Sequence, residues 1–200
     1  FNLHLGEHAM TETLHPRTVL LGAQARADVL PVCDHYCGIP SMMVKSLQLQ
    51  AELTREFGTC VMDVTLDCED GAPVGHEADH AMLVADMVLA SDAAARVAVR
   101  VHPLGHPAFA QDVRILVGRA ADKLRHIMLP KVEAVDDVER AVQQIDAAGG
   151  HDVPLHVLVE SPLGVSRVFT LAAHPRVASV SFGLLDFVSS HAGAIRAEAM

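Results

Sequence analysis

The chain has 200 residues, half of them apolar and a fifth charged, with only 13 Gly and 10 Pro, so it can bury a core and is neither a disordered nor a collagen-like sequence. Its 15 Lys and Arg against 25 Asp and Glu leave a formal net charge of −10 without any basic run, which argues against a nucleic-acid or anionic-membrane surface and favours small-molecule chemistry. No stretch approaches the roughly 20 apolar residues that span a bilayer, and Phe1-Asn2-Leu3-His4-Leu5-Gly6-Glu7 lacks the basic and apolar regions of a signal peptide.

In chain order, Met10-Thr11-Glu12-Thr13 reads as an ordinary start, so residues 1–9 are expected to be a non-native or disordered leader and residues 10–200 one domain. A first strand is predicted at 18–21. Cys33-Asp34-His35-Tyr36-Cys37 follows as a loop expected to pack its thiols against the first helix. Two thiols and an imidazole suggest zinc, but no second Cys/His pair follows at the usual spacing. The four cysteines, Cys33, Cys37, Cys60 and Cys68, are too few to staple the chain and fit a reducing, cytoplasmic setting.

A helix is predicted over 43–57, with Leu49, Leu53 and Phe57 at steps of four, then a strand at 60–66. A helix over 77–94 places Met82, Ala85 and Leu89 on one face, and strands follow at 97–101 and 126–129. The helix over 134–148 has the clearest stripe, Val135, Val138, Val142 and Ile145, and Gly149-Gly150 stops it. Strands at 155–159 and 178–182 complete the pattern. Strands alternating with helices predict a parallel α/β sheet. No Gly-x-Gly-x-x-Gly follows any strand, and polar residues end strand after strand, which favours a TIM (β/α)8 barrel over a doubly wound sheet. Six strands make three quarters of a barrel that takes eight strands and about 250 residues, so the last two are expected to be missing.

In such a barrel the carboxyl ends of the strands converge on one mouth. They carry Asp67-Cys68-Glu69-Asp70-Gly71-Ala72, Arg100-Val101-His102-Pro103, Pro130-Lys131, Glu160-Ser161-Pro162-Leu163-Gly164 and Gly183-Leu184-Leu185-Asp186. Any one of these has an ordinary reading, as a helix N-cap or a surface lysine. All of them at one register point to a site. Glu160 and Asp186 suit a hard divalent cation such as Mg²⁺, which takes oxygen ligands and leaves positions open for substrate. The planar fork of Arg100 suits a carboxylate or a developing enolate oxygen, and Lys131, Pro162 and Gly164 are expected substrate contacts at the same mouth. His102, His106 and His191 fall near it without an assigned role, and Ser189-Ser190-His191 lacks the glycines of a nucleophile elbow.

Together with Val99-Arg100-Val101-His102-Pro103, Met128-Leu129-Pro130-Lys131-Val132-Glu133 and Phe182-Gly183-Leu184-Leu185-Asp186-Phe187, these motifs in this order resemble the citrate lyase beta subunit and malyl-CoA lyase family, within the wider HpcH/HpaI aldolase group, over about residues 17–193. The resemblance implies a TIM barrel of the phosphoenolpyruvate/pyruvate-binding type, apparently truncated after about six βα units. It implies Mg²⁺ on Glu160 and Asp186, with Mn²⁺ as a substitute, a catalytic Arg100, and catalytic Glu69 and Asp70, which with Asp67 shape the metal site. The implied reaction is cleavage of a 3-hydroxyacyl-CoA ester of the citryl-CoA or malyl-CoA type to an acyl-CoA and a 2-oxo acid. The aldolase branch would instead cleave a 4-hydroxy-2-oxo acid to pyruvate or a similar 2-oxo acid without coenzyme A, and a barrel without catalysis is a third reading. A homo-oligomer, trimer or hexamer, is implied as well. Two residues depart from the family pattern, His102 in place of Asn and Cys68 in place of Leu. The chain also stops at Ala197-Glu198-Ala199-Met200, before the segment that in relatives covers the mouth and supplies a further acidic residue.

Overall fold

The computed structural model of the protein describes residues 33–190 and Gly193. The leader at 1–9, the strand predicted at 18–21 and His191 lie outside the described residues. Six parallel strands run in sequential order: β1 (Cys33–Cys37), β2 (Met62–Asp67), β3 (Val97–Arg100), β4 (Leu124–Leu129), β5 (Leu155–Val159) and β6 (Val177–Phe182). The connections carry α1 (Pro40–Phe57), α2 (Glu77–Ala90), α3 (Phe109–Ala120), α4 (Val135–Ala147) and the short α5 (Pro162–Ser166) and α6 (Val168–Ala172); α7 (Leu184–Ser190) follows β6. A strand order that never reverses, with a helix in every crossover, is the arrangement of a (β/α) barrel.

Alternation along the strands sorts the two faces of the sheet. Val64, Leu66, Val99, Ile127, Val157 and Val159 belong to the apolar core shared with Val84 and Val88 of α2, Leu116 of α3 and Ile145 of α4. The other face carries Asp34, Thr65, Arg100, His126, His156 and Ser181. Three strand spacings separate β1 from β4, about 14 Å in a flat sheet. Yet His126 Nε2 lies 3.4 Å from Asp34 Oδ2. The sheet is therefore curled, with the polar face inside.

β1 corrects the sequence reading. The segment taken as a thiol-bearing loop is a strand paired with β2 from Cys33 opposite Met62 to Cys37 opposite Leu66. It has no apolar run because its inward residues face a polar interior. The helix faces differ too. On α1 the buried residues are Met43, Ser46 and Gln50, whereas Leu49 and Phe57 are exposed. Gln50 Nε2 donates to the carbonyls of Met62 (2.7 Å) and Arg96 (2.9 Å), so this face docks by satisfying strand-end backbone as well as by burying carbon. On α2, His80, Ala81, Val84, Ala85 and Val88 face inward and Met82 and Leu89 outward. That helix is apolar on most sides, so periodicity alone does not choose its buried face.

Candidate active site

Arg100, the last residue of β3, is buried at the mouth within a ring of carboxylates. Its Nε donates to Asp67 Oδ1 (2.7 Å), and its Nη2 donates to Asp67 Oδ2 (2.6 Å) and Asp70 Oδ2 (2.7 Å). Nη1 is turned to Glu69 Oε2 at 2.9 Å, an ion pair out of hydrogen-bonding line, so that this buried oxygen has no hydrogen-bond partner. The Tyr36 ring lies under the guanidinium, 5.3 Å from its centroid. Burial works against the charge of Arg100, but Asp67, Glu69 and Asp70 outweigh it and hold the group protonated above its usual range. Register explains the clamp: Asp67 ends β2 directly opposite Arg100 on β3. The Asp67 loop also passes Gly38 so closely, at Gly71, that a side-chain carbon on either glycine would collide with the other's backbone.

Lys131 follows β4 with a backbone φ of 55°, a left-handed conformation uncommon for a residue with a side chain. This turn aims its N–H at Glu160 Oε2 (3.0 Å), while its Nζ donates to Glu69 Oε1 (2.8 Å) and lies 3.4 Å from Asp186 Oδ2. The ammonium thus joins the loops after β2, β4 and β6. Burial opposes its charge, yet Glu69, Asp186 and Glu160 hold Lys131 above the ordinary lysine range. Glu160 sits just beyond β5 and is buried. Burial pushes its carboxyl up to about 7, with Glu69 and Asp186 adding to the rise and Lys131 opposing it. Gly183 leaves the room this carboxylate needs, since a Cβ there would stand 2.5 Å from Glu160 Cγ and 2.7 Å from Oε1. A cavity of about 280 Å³ opens beside them, lined by Lys131, Glu133, Glu160, Ser161, Asp186 and Ser190.

Of the residues expected at the mouth, Glu69, Asp70, Arg100, Lys131, Glu160 and Asp186 therefore form one connected charge network. Pro162 opens α5. Gly164 is buried in α5, with its N–H taken by Ser161 Oγ (3.1 Å) and Val132 O 2.9 Å from where a Cβ would stand. Ser161 Oγ in turn donates to Glu133 Oε1 (2.6 Å). His102 is held apart from the network: its backbone N–H donates to Asp112 Oδ2 (2.9 Å), its Nδ1 lies 2.6 Å from the same oxygen, and its ring stacks on His106 at 4.4 Å. Burial, more than these bonds can offset, raises the Asp112 carboxyl. The sequence reading missed Tyr36, the clamping role of Asp67, and Glu133 and Gly183 as supports, although all four lay inside segments already singled out.

A parallel (β/α) barrel with an acidic mouth, held by one buried arginine and one lysine, is the class that fold and site define. The chain belongs to the HpcH/HpaI aldolase/citrate lyase family, whose profile matches residues 42–198. It is 32% identical over 134 residues to the L-malyl-CoA/beta-methylmalyl-CoA lyase of Cereibacter sphaeroides, a match covering 64% of this chain and 42% of that protein. A crystal structure of a citrate lyase from Burkholderia xenovorans LB400 is 45% identical, with a TM-score of 0.73 over 84% of this chain and 52% of that one. The citrate lyase beta subunit from M. tuberculosis complexed with oxaloacetate and magnesium shares the fold at 21% identity, with a TM-score of 0.65 over 86% of this chain and 67% of that one. The chain spans about half the length of the first two relatives. No helix among the described residues is long and apolar enough to cross a membrane.

Proposed function

We propose that this chain carries the active-site mouth of a magnesium-dependent carbon–carbon lyase that cleaves a 3-hydroxyacyl-CoA ester of the malyl-CoA or citryl-CoA type to an acyl-CoA and a 2-oxo acid. One observation carries the reading: Glu69 and Asp186 converge on the ammonium of Lys131 while Glu160 takes its backbone N–H, and burial, with Glu69 and Asp186 adding to it, lifts Glu160 to about 7. A surplus of oxygen donors beside an open cavity fits a hard divalent cation. The names of the relatives support the same chemistry, a malyl-CoA lyase in one case and a complex with oxaloacetate and magnesium in another.

Glu160 and Asp186 are the residues that would hold the cation, with Mn²⁺ as a substitute. When bound, it supplies Lewis acidity that acidifies the hydroxyl of the 2-hydroxy acid portion and steadies the 2-oxo product. Arg100 acts at the other end of the breaking bond. As the hydroxyl gives its proton to solvent and the carbon–carbon electrons move onto the thioester, Nη1, which faces Glu69 without a hydrogen bond, donates to the enolate oxygen, a contribution of about 3–4 kcal/mol for one such donor, and the enolate carbon then takes a proton from solvent. Asp67 and Asp70 are positioning residues that fix the fork, and Glu69 orients both cationic side chains. Lys131 pairs with a substrate carboxylate, while Pro162 and Gly164 belong to the helix start that holds Ser161 in the cavity wall.

The test is incubation of the full chain with Mg²⁺ and, separately, malyl-CoA, citryl-CoA and a 4-hydroxy-2-oxo acid. Release of an acyl-CoA and a 2-oxo acid that stops with a chelator and in Glu160→Gln is the expected result. Release of free aldehyde from the third substrate alone assigns the chain to the aldolase branch. Undiminished cleavage by Glu160→Gln overturns the metal assignment.

A further inference from the structure

Below the mouth, the curled sheet encloses a second cluster that the proposed reaction does not use. Asp34 of β1, His126 of β4 and His156 of β5 each offer a ligand atom, and these atoms all lie within 4.8 Å of one another. The donors are an oxygen and two imidazole nitrogens, a set that suits first-row transition dications rather than Mg²⁺. We infer that Asp34, His126 and His156 form a binding site for a transition-metal dication of the Zn²⁺ kind on the floor of the barrel, distinct from the all-oxygen site at the mouth.

Three features of the cluster support this. Thr65 Oγ1 donates to Asp34 Oδ1 (2.8 Å), which fixes the carboxylate and leaves Oδ2 buried with no hydrogen-bond partner. That same Oδ2 is 3.4 Å from His126 Nε2. Metal–ligand bonds of about 2.0–2.2 Å in a tetrahedral site hold neighbouring donors about 3.4 Å apart, so two of the three ligands already stand at coordination spacing. Among the described residues no lysine or arginine pairs with Asp34, and a dication would balance this carboxylate.

His156 completes the set. Its Nδ1 lies 2.8 Å from Ser179 Oγ and its Nε2 2.7 Å from Ser181 Oγ. Whichever nitrogen coordinates releases one hydroxyl, and the other serine then accepts the remaining ring N–H and fixes the tautomer, the usual support of a metal-bound histidine.

The experiment strips the full chain with a chelator and titrates it with Zn²⁺, and in parallel with Co²⁺ as a spectroscopic probe, under excess Mg²⁺ to compete at the mouth. One equivalent should bind, with the intense visible absorption of Co²⁺ in a low-coordinate, nitrogen-bearing site. Affinity should fall by more than about 100-fold in His126→Gln and in Asp34→Asn, beyond the 10- to 100-fold that follows loss of a mere supporting hydrogen bond. Glu160→Gln should leave it unchanged. Asp34→Asn keeps the side-chain size and can still accept the Thr65 bond, so it decides the matter should His126→Gln fail to fold. No uptake, uptake indifferent to Asp34→Asn, or uptake lost only in Glu160→Gln overturns the inference. Failure here leaves the lyase reading intact, because that reading rests on Glu160 and on cleavage.

Discussion

Glu160→Gln should make the metal-free protein more stable at alkaline pH while removing its function. The carboxyl has an ordinary value of 4.5 and is held at about 7 in the fold, first by burial and then by Glu69 and Asp186. A folded value above the unfolded one means that the folded state prefers the proton. The resulting stability is fully present below 4.5 and is lost as pH rises through about 7. At about 1.4 kcal/mol per pH unit, the loss reaches at most about 3 kcal/mol. Glutamine carries no such titration, and its amide oxygen can still accept the Lys131 N–H.

Urea unfolding at pH 4.5, 6 and 8 in a chelator measures this directly. The wild-type free energy of unfolding should fall across the series more steeply than that of the variant, by up to about 3 kcal/mol, and the variant should be the more stable protein at pH 8. Millimolar Mg²⁺ should restore the wild type at pH 8 and leave the variant unchanged, because a ligand stabilises only the form that binds it. Parallel profiles, or a variant less stable than wild type at pH 8, refute the raised titration of this buried carboxylate.

Gly183→Ala puts a Cβ 2.5 Å from Glu160 Cγ, so the carboxylate must move; Mg²⁺ affinity by calorimetry should drop at least about tenfold with the circular dichroism unchanged. Arg100→Gln leaves Asp67 buried without its fork partner and should cost about 3–5 kcal/mol in urea unfolding at pH 7. His156 titrates with the opposite sign to Glu160. Its folded value of about 4 lies below the ordinary 6.5 because of burial and then His126, so its stability is present above 6.5 and is lost as pH falls through 4. His156→Asn should remove up to about 3 kcal/mol of acid sensitivity between pH 7.5 and 4.5, measured by urea unfolding against wild type.

Much of the mouth was legible because each of its charged residues follows an apolar run, and in a parallel barrel that position alone fixes where a side chain goes. Arg100 after Val97–Val99 and Glu160 after Leu155–Val159 are such cases. The partnerships were less legible. That Asp67 rather than substrate fills the Arg100 fork depends on strand register, which one strand does not carry by itself. β1 was missed for a related reason: its Asp34 and Tyr36 look like loop residues unless the barrel interior is known to be polar. His126 and His156 stood inside predicted strands, but thirteen histidines in the chain gave no reason to choose these two until β1 brought Asp34 beside them. On α1, periodic leucines outweighed Gln50, whose bonds to two strand carbonyls determine the docked face.

Barrel interiors are ordinarily filled by layers of branched apolar side chains. Here polar side chains take inward positions at two levels, alongside the apolar Met128 and Leu158, and the spacing of the two levels determines whether they behave as one electrostatic unit. His156 and Glu160 lie four residues apart along β5 and its extension, about 13 Å at 3.3 Å per residue. Two unit charges at that distance interact by about 0.3–1.3 kcal/mol for effective dielectrics between those of water and the protein surface. Each layer's own titration is worth up to about 3 kcal/mol, so self-effects dominate the coupling. The pH profiles of Glu160→Gln and His156→Asn should therefore add in the double variant to within about 1 kcal/mol. A larger departure would mean that floor and mouth are electrostatically coupled through the interior, and the two proposed cation sites would then have to be treated as one.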